Sequence, residues 1–264
     1  MFDTHCHLNS VEYPPDITPI VNSAREVGVK YFLIPGFDLK TSYKAVDIAS
    51  DFENVFCAVG FHPTKDIEKV GFDLILSELN TMLDKNPEIK AVGEVGLDYY
   101  RFISPSRIQN QLLIEALKLS IKHDKSVILH NRQAAENVLE VLELMGPKNF
   151  SGKLVFHCCE ANLDILKFAE KHCVYIGVDG DITYDSAKQE FIKKVPLELL
   201  VVETDSPYLM PEPLRSDHPR PAFNEPKNIK YIVAKVAEIK GLSVEKVIGQ
   251  TTNNALSLFA IEGI

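Results

Sequence analysis

The sequence predicts an α/β fold, a (β/α)8 TIM barrel formed as a single domain over residues 1–264, and three observations predict it. Eight short apolar runs rich in β-formers recur along the whole chain. Helical patterns separate them, and strict alternation of strand and helix means parallel strands joined by crossover helices. No run reads as a polar edge strand and no Gly-rich nucleotide loop follows the first one, which favours a closed barrel over an open doubly wound sheet. Barrels of about 250 residues fold as one unit, so the length agrees.

The predicted strands run from Phe2 to Leu8, Lys30 to Pro35, Val55 to Phe61, Ile89 to Val95, Ser126 to His130, Lys153 to Cys158, Val174 to Val178 and Leu199 to Glu203. Between the fourth and fifth, Ile108, Leu112, Ala116 and Leu119 recur at helical spacing. Between the fifth and sixth, Val138, Leu142 and Met145 do the same, and Gly146-Pro147 stops that helix. After the eighth strand the Pro-rich stretch from Pro207 to Pro226 is long enough to arch over the barrel mouth. Closing helices are expected from near Pro226 and over Glu245 to Phe259.

In such a barrel the reactive side chains come from the C-terminal ends of several strands. Alternation along the first strand places Asp3, His5 and His7 on one face, so two imidazoles converge and Asp3 is set to orient a ring or ligate weakly. Glu94 lies near the end of the fourth run, His130 ends the fifth and His157 stands at the end of the sixth. Asp205 follows the eighth after Leu199-Leu200-Val201-Val202-Glu203-Thr204. Each follows an apolar run, where an ionisable group needs a partner to offset its desolvation. One such residue is readily a satisfied core polar group; six at the same end of five strands point to divalent-metal binding. Four histidines and two carboxylates exceed the needs of one tetrahedral ion, so two ions bridged by Glu94 are expected. This assigns His5, His7 and Asp205 to one ion and His130 with His157 to the other. Mixed nitrogen and oxygen ligation suits Zn, Mn, Co or Mg.

Composition narrows the rest. The net charge of −9 excludes a protein that coats nucleic acid through a broadly basic surface, while leaving room for a local basic pocket. No apolar run approaches the roughly 20 residues that cross a bilayer, so no membrane partner is expected. The N-terminus has no basic region followed by an apolar stretch. With five cysteines, an odd number lying mostly in apolar segments, this predicts a cytoplasmic protein with reduced thiols. The oligomeric state is left open, with a monomer among the options.

Six segments carry a family resemblance: Asp-Thr-His-Cys-His at 3–7, Gly-Phe-His-Pro at 60–63, Gly-Glu-Val-Gly-Leu-Asp-Tyr at 93–99, Leu-His-Asn-Arg at 129–132, Glu-Thr-Asp-Ser-Pro-Tyr-Leu at 203–209 and Asn-Glu-Pro at 224–226. Together they resemble the TatD family of metal-dependent deoxyribonucleases, within the amidohydrolase superfamily, from Phe2 to the segment 251–255. The resemblance implies the barrel and phosphodiester hydrolysis of DNA, as a 3′-5′ exonuclease on single strands or as an endonuclease. Many members of the wider superfamily bridge their metals with a carboxylated lysine; Glu94 in its place favours the nuclease branch. The chain departs from the family pattern at His157-Cys158-Cys159-Glu160-Ala161, where His-x-Phe-Ser/Thr-Gly is usual, at Thr64 in place of a second histidine and at Gln133 in place of an acidic residue.

The chemistry expected is attack by a metal-activated water, with Asp205 as general base and Glu94 between the metals. His62, Lys65, Arg101 and Arg132 lie just beyond strand ends on the same side, and His62 and Arg132 match family motif positions, so these two are the expected phosphate contacts. Lys65, Arg101, Arg215, His218 and Arg220 read as solvated surface charge. Tyr99, expected to contact substrate, shares with Tyr100 and Phe102 the capacity to stack a base or to pack. Cys158 and Cys159 read as structural thiols. Two other functions fit the same ligands: a small-molecule amidohydrolase or lactonase, and a metal-stabilised barrel that only binds a partner. A basic, aromatic mouth separates the nuclease from the first of these.

Overall fold

The computed structural model describes residues 1–101, 103–217 and 223–262. Eight strands form one sheet in sequence order, every neighbouring pair parallel. They are β1 (Phe2–Asp3), β2 (Tyr31–Pro35), β3 (Val55–Val59), β4 (Ile89–Asp98), β5 (Ser126–Arg132), β6 (Leu154–Phe156), β7 (Tyr175–Val178) and β8 (Leu200–Val202). The first and last edges meet through Thr4 N to Val202 O at 3.2 Å, Asp205 N to His5 O at 2.9 Å and His7 N to Ser206 O at 2.7 Å. With the bridge between Cys6 and Ser206, these bonds close the barrel.

The connecting helices are α1 (Thr18–Glu26), α2 (Leu39–Asp51), α3 (Ile67–Val70), α4 (Phe72–Lys85), α5 (Ser106–Lys122), α6 (Ala135–Met145), α7 (Leu163–His172) and α8 (Ser186–Lys194). Their starts follow local chemistry: Asp38 and Thr41 make a reciprocal capping box at α2, and Asn162 and Asp185 cap α7 and α8. After β8 come the short α9 (Leu214–Asp217), then α10 (Ile229–Lys240) and α11 (Val244–Leu258). The Pro-rich stretch is tied back to β8 at its far end. Asn224 donates through Nδ2 to Thr204 O at 2.9 Å and through its backbone N to Pro207 O at 3.0 Å. Phe102, His218 and Arg220 lie outside the described residues. Among the described residues no helix is long and apolar enough to cross a membrane.

Every strand is buried on both faces, as a closed parallel sheet requires. Phe32, Ile34, Val127 and Leu129 face the helices, whereas Leu33, Ala58, Ala91, Ile128, Val155, Tyr175 and Val201 fill the axis. Phe259 and Leu258 join this axial cluster, and the Phe259 ring sits 5.8 Å from that of Phe2.

Two departures from simple alternation aim the functional side chains. Phe2 is axial but Cys6 and Leu8 belong to the outer cluster, so the predicted seven-residue alternation fails. The chain bends at Thr4, and beyond the bend His5 and His7 point into the mouth. In β4, Val92 pairs with Val127 but Val95 with Leu129, so one extra residue is inserted. A bulge of this kind switches which face a side chain takes. Ala91 is axial at an odd position, and past the bulge Glu94 turns inward at an even one.

Phe259→Ala should lower unfolding stability by about 3–5 kcal/mol, because Phe259 is 1% exposed and its loss leaves a cavity at the barrel floor. Guanidinium unfolding followed by circular dichroism checks this, and a loss under about 1 kcal/mol would show that the ring does not seal the floor.

Candidate metal centre

Glu94 stands at the middle of a histidine cluster with each carboxylate oxygen facing a different group. Oε2 lies 3.5 Å from His5 Nε2 and 4.0 Å from His7 Nε2. Oε1 lies 3.0 Å from His130 Nδ1, 3.1 Å from His62 Nε2 and 3.8 Å from His157 Nε2. Asp205 Oδ1 completes the first group, at 3.3 Å from His7 Nε2, 3.6 Å from His5 Nε2 and 3.7 Å from His157 Nε2. The structure thus brings together all six residues expected as ligands. His157 stands between the groups and stacks on His5 with ring centroids 3.4 Å apart.

Small residues make room for this. A Cβ on Gly60 would lie 2.6 Å from Glu94 N, and one on Gly177 would lie 2.5 Å from Glu203 Oε1. Asp205 itself has φ of 50°, a left-handed conformation that costs a non-glycine residue energy and is retained where the surroundings fix it. Its N–H donates to His5 O, so β1 and β8 hold it.

The donor set fits divalent cations. Ligand atoms about 2.0–2.1 Å from one ion stand about 3.3 Å apart at tetrahedral angles. His5 Nε2 and His7 Nε2 are 3.1 Å apart, close to that spacing. Both of their Nδ1 atoms are buried without a hydrogen-bond partner among the described residues. Buried imidazoles crowded lone pair to lone pair need a proton or a cation between them.

The remaining histidines are oriented by carboxylates that the sequence reading did not single out. His157 Nδ1 lies 3.0 Å from Glu203 Oε1, and His130 Nε2 lies 3.1 Å from Asp98 Oδ2. Such partners fix the tautomer and turn the other nitrogen toward the metal. Their signal was present in the spacing: Glu203 and Asp205 are two apart, and Asp98 is four beyond Glu94 on the same face. Among the described residues Asp3 makes no hydrogen bond to a histidine ring. It accepts from Thr204 N at 2.9 Å and Thr204 Oγ1 at 2.7 Å, tying β1 to β8.

His62 differs from the other histidines. Its Nδ1 accepts from Thr64 N at 3.1 Å, so the proton of the neutral ring sits on Nε2 and points at Glu94. Burial pulls its pKa down to about 4, which keeps the ring neutral. His62 therefore presents a hydrogen-bond donor to the centre. Arg132 stacks on Tyr100, with its guanidinium carbon 4.0 Å from the ring centroid. Tyr100 is exposed, whereas Tyr99 packs against the outer core and its Oη accepts from Asn110 Nδ2 at 3.0 Å.

Protonation of the histidines balances the charge of the carboxylates in this cluster. Burial opposes ionisation of Glu94, yet the surrounding histidines, His62 and His130 foremost, hold its carboxyl well below the usual range. Burial likewise opposes a charge on His157, but Glu203, Glu94 and Asp205 outweigh it and raise the pKa to about 10. His130 is raised too, against its burial, by Asp98 and Glu94. His5 is lowered by burial and by His157.

Residues 2–260 match the family described as TatD related DNase. The chain is 31% identical to an uncharacterized metal-dependent hydrolase, YabD, of Bacillus subtilis, over 99% of each chain. It is 29% identical, again over 99% of each, to the 3'-5' ssDNA/RNA exonuclease TatD of Escherichia coli K12. Its fold is similar to the crystal structure of YjjV, a TatD homolog from Escherichia coli K12, with a TM-score of 0.89 at 26% identity, covering 99% of this chain and 98% of that one.

Metal ligation needs neutral imidazole, so loading a chelator-stripped sample at pH 7 should release protons from His157 and His130, and apparent affinity should rise with pH up to about 10. Glu203→Gln removes the first group that raises His157, so it should release fewer protons while binding metal about 10- to 100-fold more weakly. Calorimetry in buffers of different ionisation enthalpy measures both. Equal proton release in the two proteins would show that the His157–Glu203 pair does not control ligation.

Proposed function

We propose, from the premise that this chain belongs to the TatD-related DNase family of metal-dependent hydrolases, that it is a deoxyribonuclease that removes nucleotides from the 3′ end of single-stranded DNA with two divalent cations. The observation that carries the reading is the division of the Glu94 carboxylate, one oxygen toward His5 and His7 and the other toward His130 and His157. One ion would be held by His5, His7, Asp205 and Glu94, and the other by His130, His157 and Glu94; Zn, Mn, Mg and Co all accept such donors. A pair of cations there supplies Lewis acidity at a phosphoryl oxygen and acidifies water.

Asp205 is the general base in this reading. Its side chain is 14% exposed, so it can meet solvent while Oδ1 reaches the histidine group. His62 would donate a hydrogen bond from Nε2 to a phosphoryl oxygen at the mouth, as that nitrogen now faces Glu94 Oε1 at 3.1 Å. Arg132, stacked on Tyr100, offers charge-assisted hydrogen bonds to a phosphate, and the exposed Tyr100 face takes a base better placed than Tyr99. An exposed cationic and aromatic mouth supports a nucleotide polymer over a compact apolar substrate. We read residues 1–264 as one domain, since β-strands and closing helices share the axial core. A cytoplasmic location belongs to the same reading, with all five cysteines unpaired.

With a 5′-labelled single-stranded oligonucleotide and Mn or Mg, the protein should shorten the strand from its 3′ end, and chelator should abolish the ladder. Asp205→Asn should retain the fold and lower turnover by about 10²–10⁴-fold. Absence of cleavage with any of the four metals, or near-wild-type turnover in Asp205→Asn, contradicts the proposal.

A further inference from the structure

One polar cluster at the mouth has no part in the metal centre. Glu160, half-buried on the loop after β6, turns its carboxylate across to the end of β5 and the residue that follows it. Oε2 accepts from Asn131 Nδ2 at 2.8 Å, and Oε1 and Oε2 each accept from the Gln133 backbone N–H at 3.1 Å. Gln133 has φ of 55° and stands just ahead of α6, whose N-cap residue Ala134 makes no side-chain cap. A peptide N–H offered from a left-handed residue before a helix start, joined by a primary amide, is a cradle for an anion. Asn131 adds an independent sign of a ligand position. It is 6% exposed and directly follows His130, and its Oδ1 has no partner among the described residues. That orphaned acceptor suits a sugar hydroxyl or a base N–H.

We infer that Glu160 fills, with its own carboxylate, a phosphate subsite beside the metal centre, and so sets which phosphodiesters the site takes. The inference rests on the phosphodiesterase reading for its substrate class. A nucleic-acid strand passing over β5 and β6 would bring a second phosphate to the Gln133 N–H and the Asn131 amide. Glu160 already occupies those donors, and its charge repels the newcomer. A diester with no second phosphate on that side meets no such conflict, and this is what the terminal linkage of a strand presents. Glu160 thereby selects ends over interior linkages.

The test uses the full chain as wild type, Glu160→Gln, which removes the charge at nearly constant shape, and Glu160→Ser, which opens the cradle. In the first arm, metal-free protein in chelator is titrated with inorganic phosphate. Both variants should bind it at least about 10-fold more tightly than wild type, a difference of about 1.4 kcal/mol. Equal phosphate affinity in all three proteins overturns the subsite, and Glu160→Gln decides the matter if the serine variant does not fold. In the second arm, with Mn, the ratio of kcat/KM for a dinucleotide carrying a 3′-phosphate to that for the same dinucleotide with a free 3′-hydroxyl should rise at least about 10-fold in the variants. An unchanged ratio overturns the role in specificity. If wild type hydrolyses neither substrate, the nuclease reading has failed, and the phosphate arm still decides whether the cradle exists.

Discussion

A buried carboxylate shared between two groups of histidines is the constraint around which this barrel is organised. Glu94 is held at the axis with one oxygen near His5 and the other near His130 and His62. Anionic oxygens at such depth are tolerated only when cations or charged partners surround them. The protein supplies those partners from β1, β5 and β6 and from the segment after β3, so the site exists only when the barrel closes. Closure in turn runs through the site, since the bond from Asp205 N to His5 O joins the last strand segment to the first.

That arrangement explains why the local irregularities fall where they do. The inserted residue in β4 turns Glu94 inward, and the bend at Thr4 turns His5 and His7 inward. Gly60 and Gly177 keep side-chain atoms away from Glu94 and Glu203. Asp98 and Glu203 each fix one imidazole, leaving the other ring nitrogen for the centre. Omitted side-chain volume thus falls at the C-terminal rim, while the floor is filled by ordinary packing of Phe2, Tyr31 and Phe259.

Much of this was legible in the sequence for a simple reason: a parallel barrel buries both faces of each strand, so an ionisable residue ending an apolar run stands out. His130 and His157 were readable that way, and so were the eight strands. The face each residue takes was not readable in β1 and β4, because a bend or a bulge shifts a period-two pattern without leaving a mark in hydrophobicity. Asp98 and Glu203 were marked only by their spacing from Glu94 and Asp205, because the histidines they orient are distant in sequence. The tautomer of His62 depends on the Thr64 N–H, and the packing of Tyr99 depends on Asn110 in α5; both are tertiary facts. Glu160 stood out as an unusual residue, and only its contacts with Asn131 and Gln133 gave that oddity a physical meaning.

We propose that Glu94 joins two cations in one centre. Titration of chelator-stripped protein with Mn(II), followed by electron paramagnetic resonance, tests it most directly. Two ions per chain with the signature of a magnetically coupled pair are expected, and Glu94→Gln should abolish the coupling. A single bound ion, or two ions with independent spectra in the wild-type protein, would contradict it.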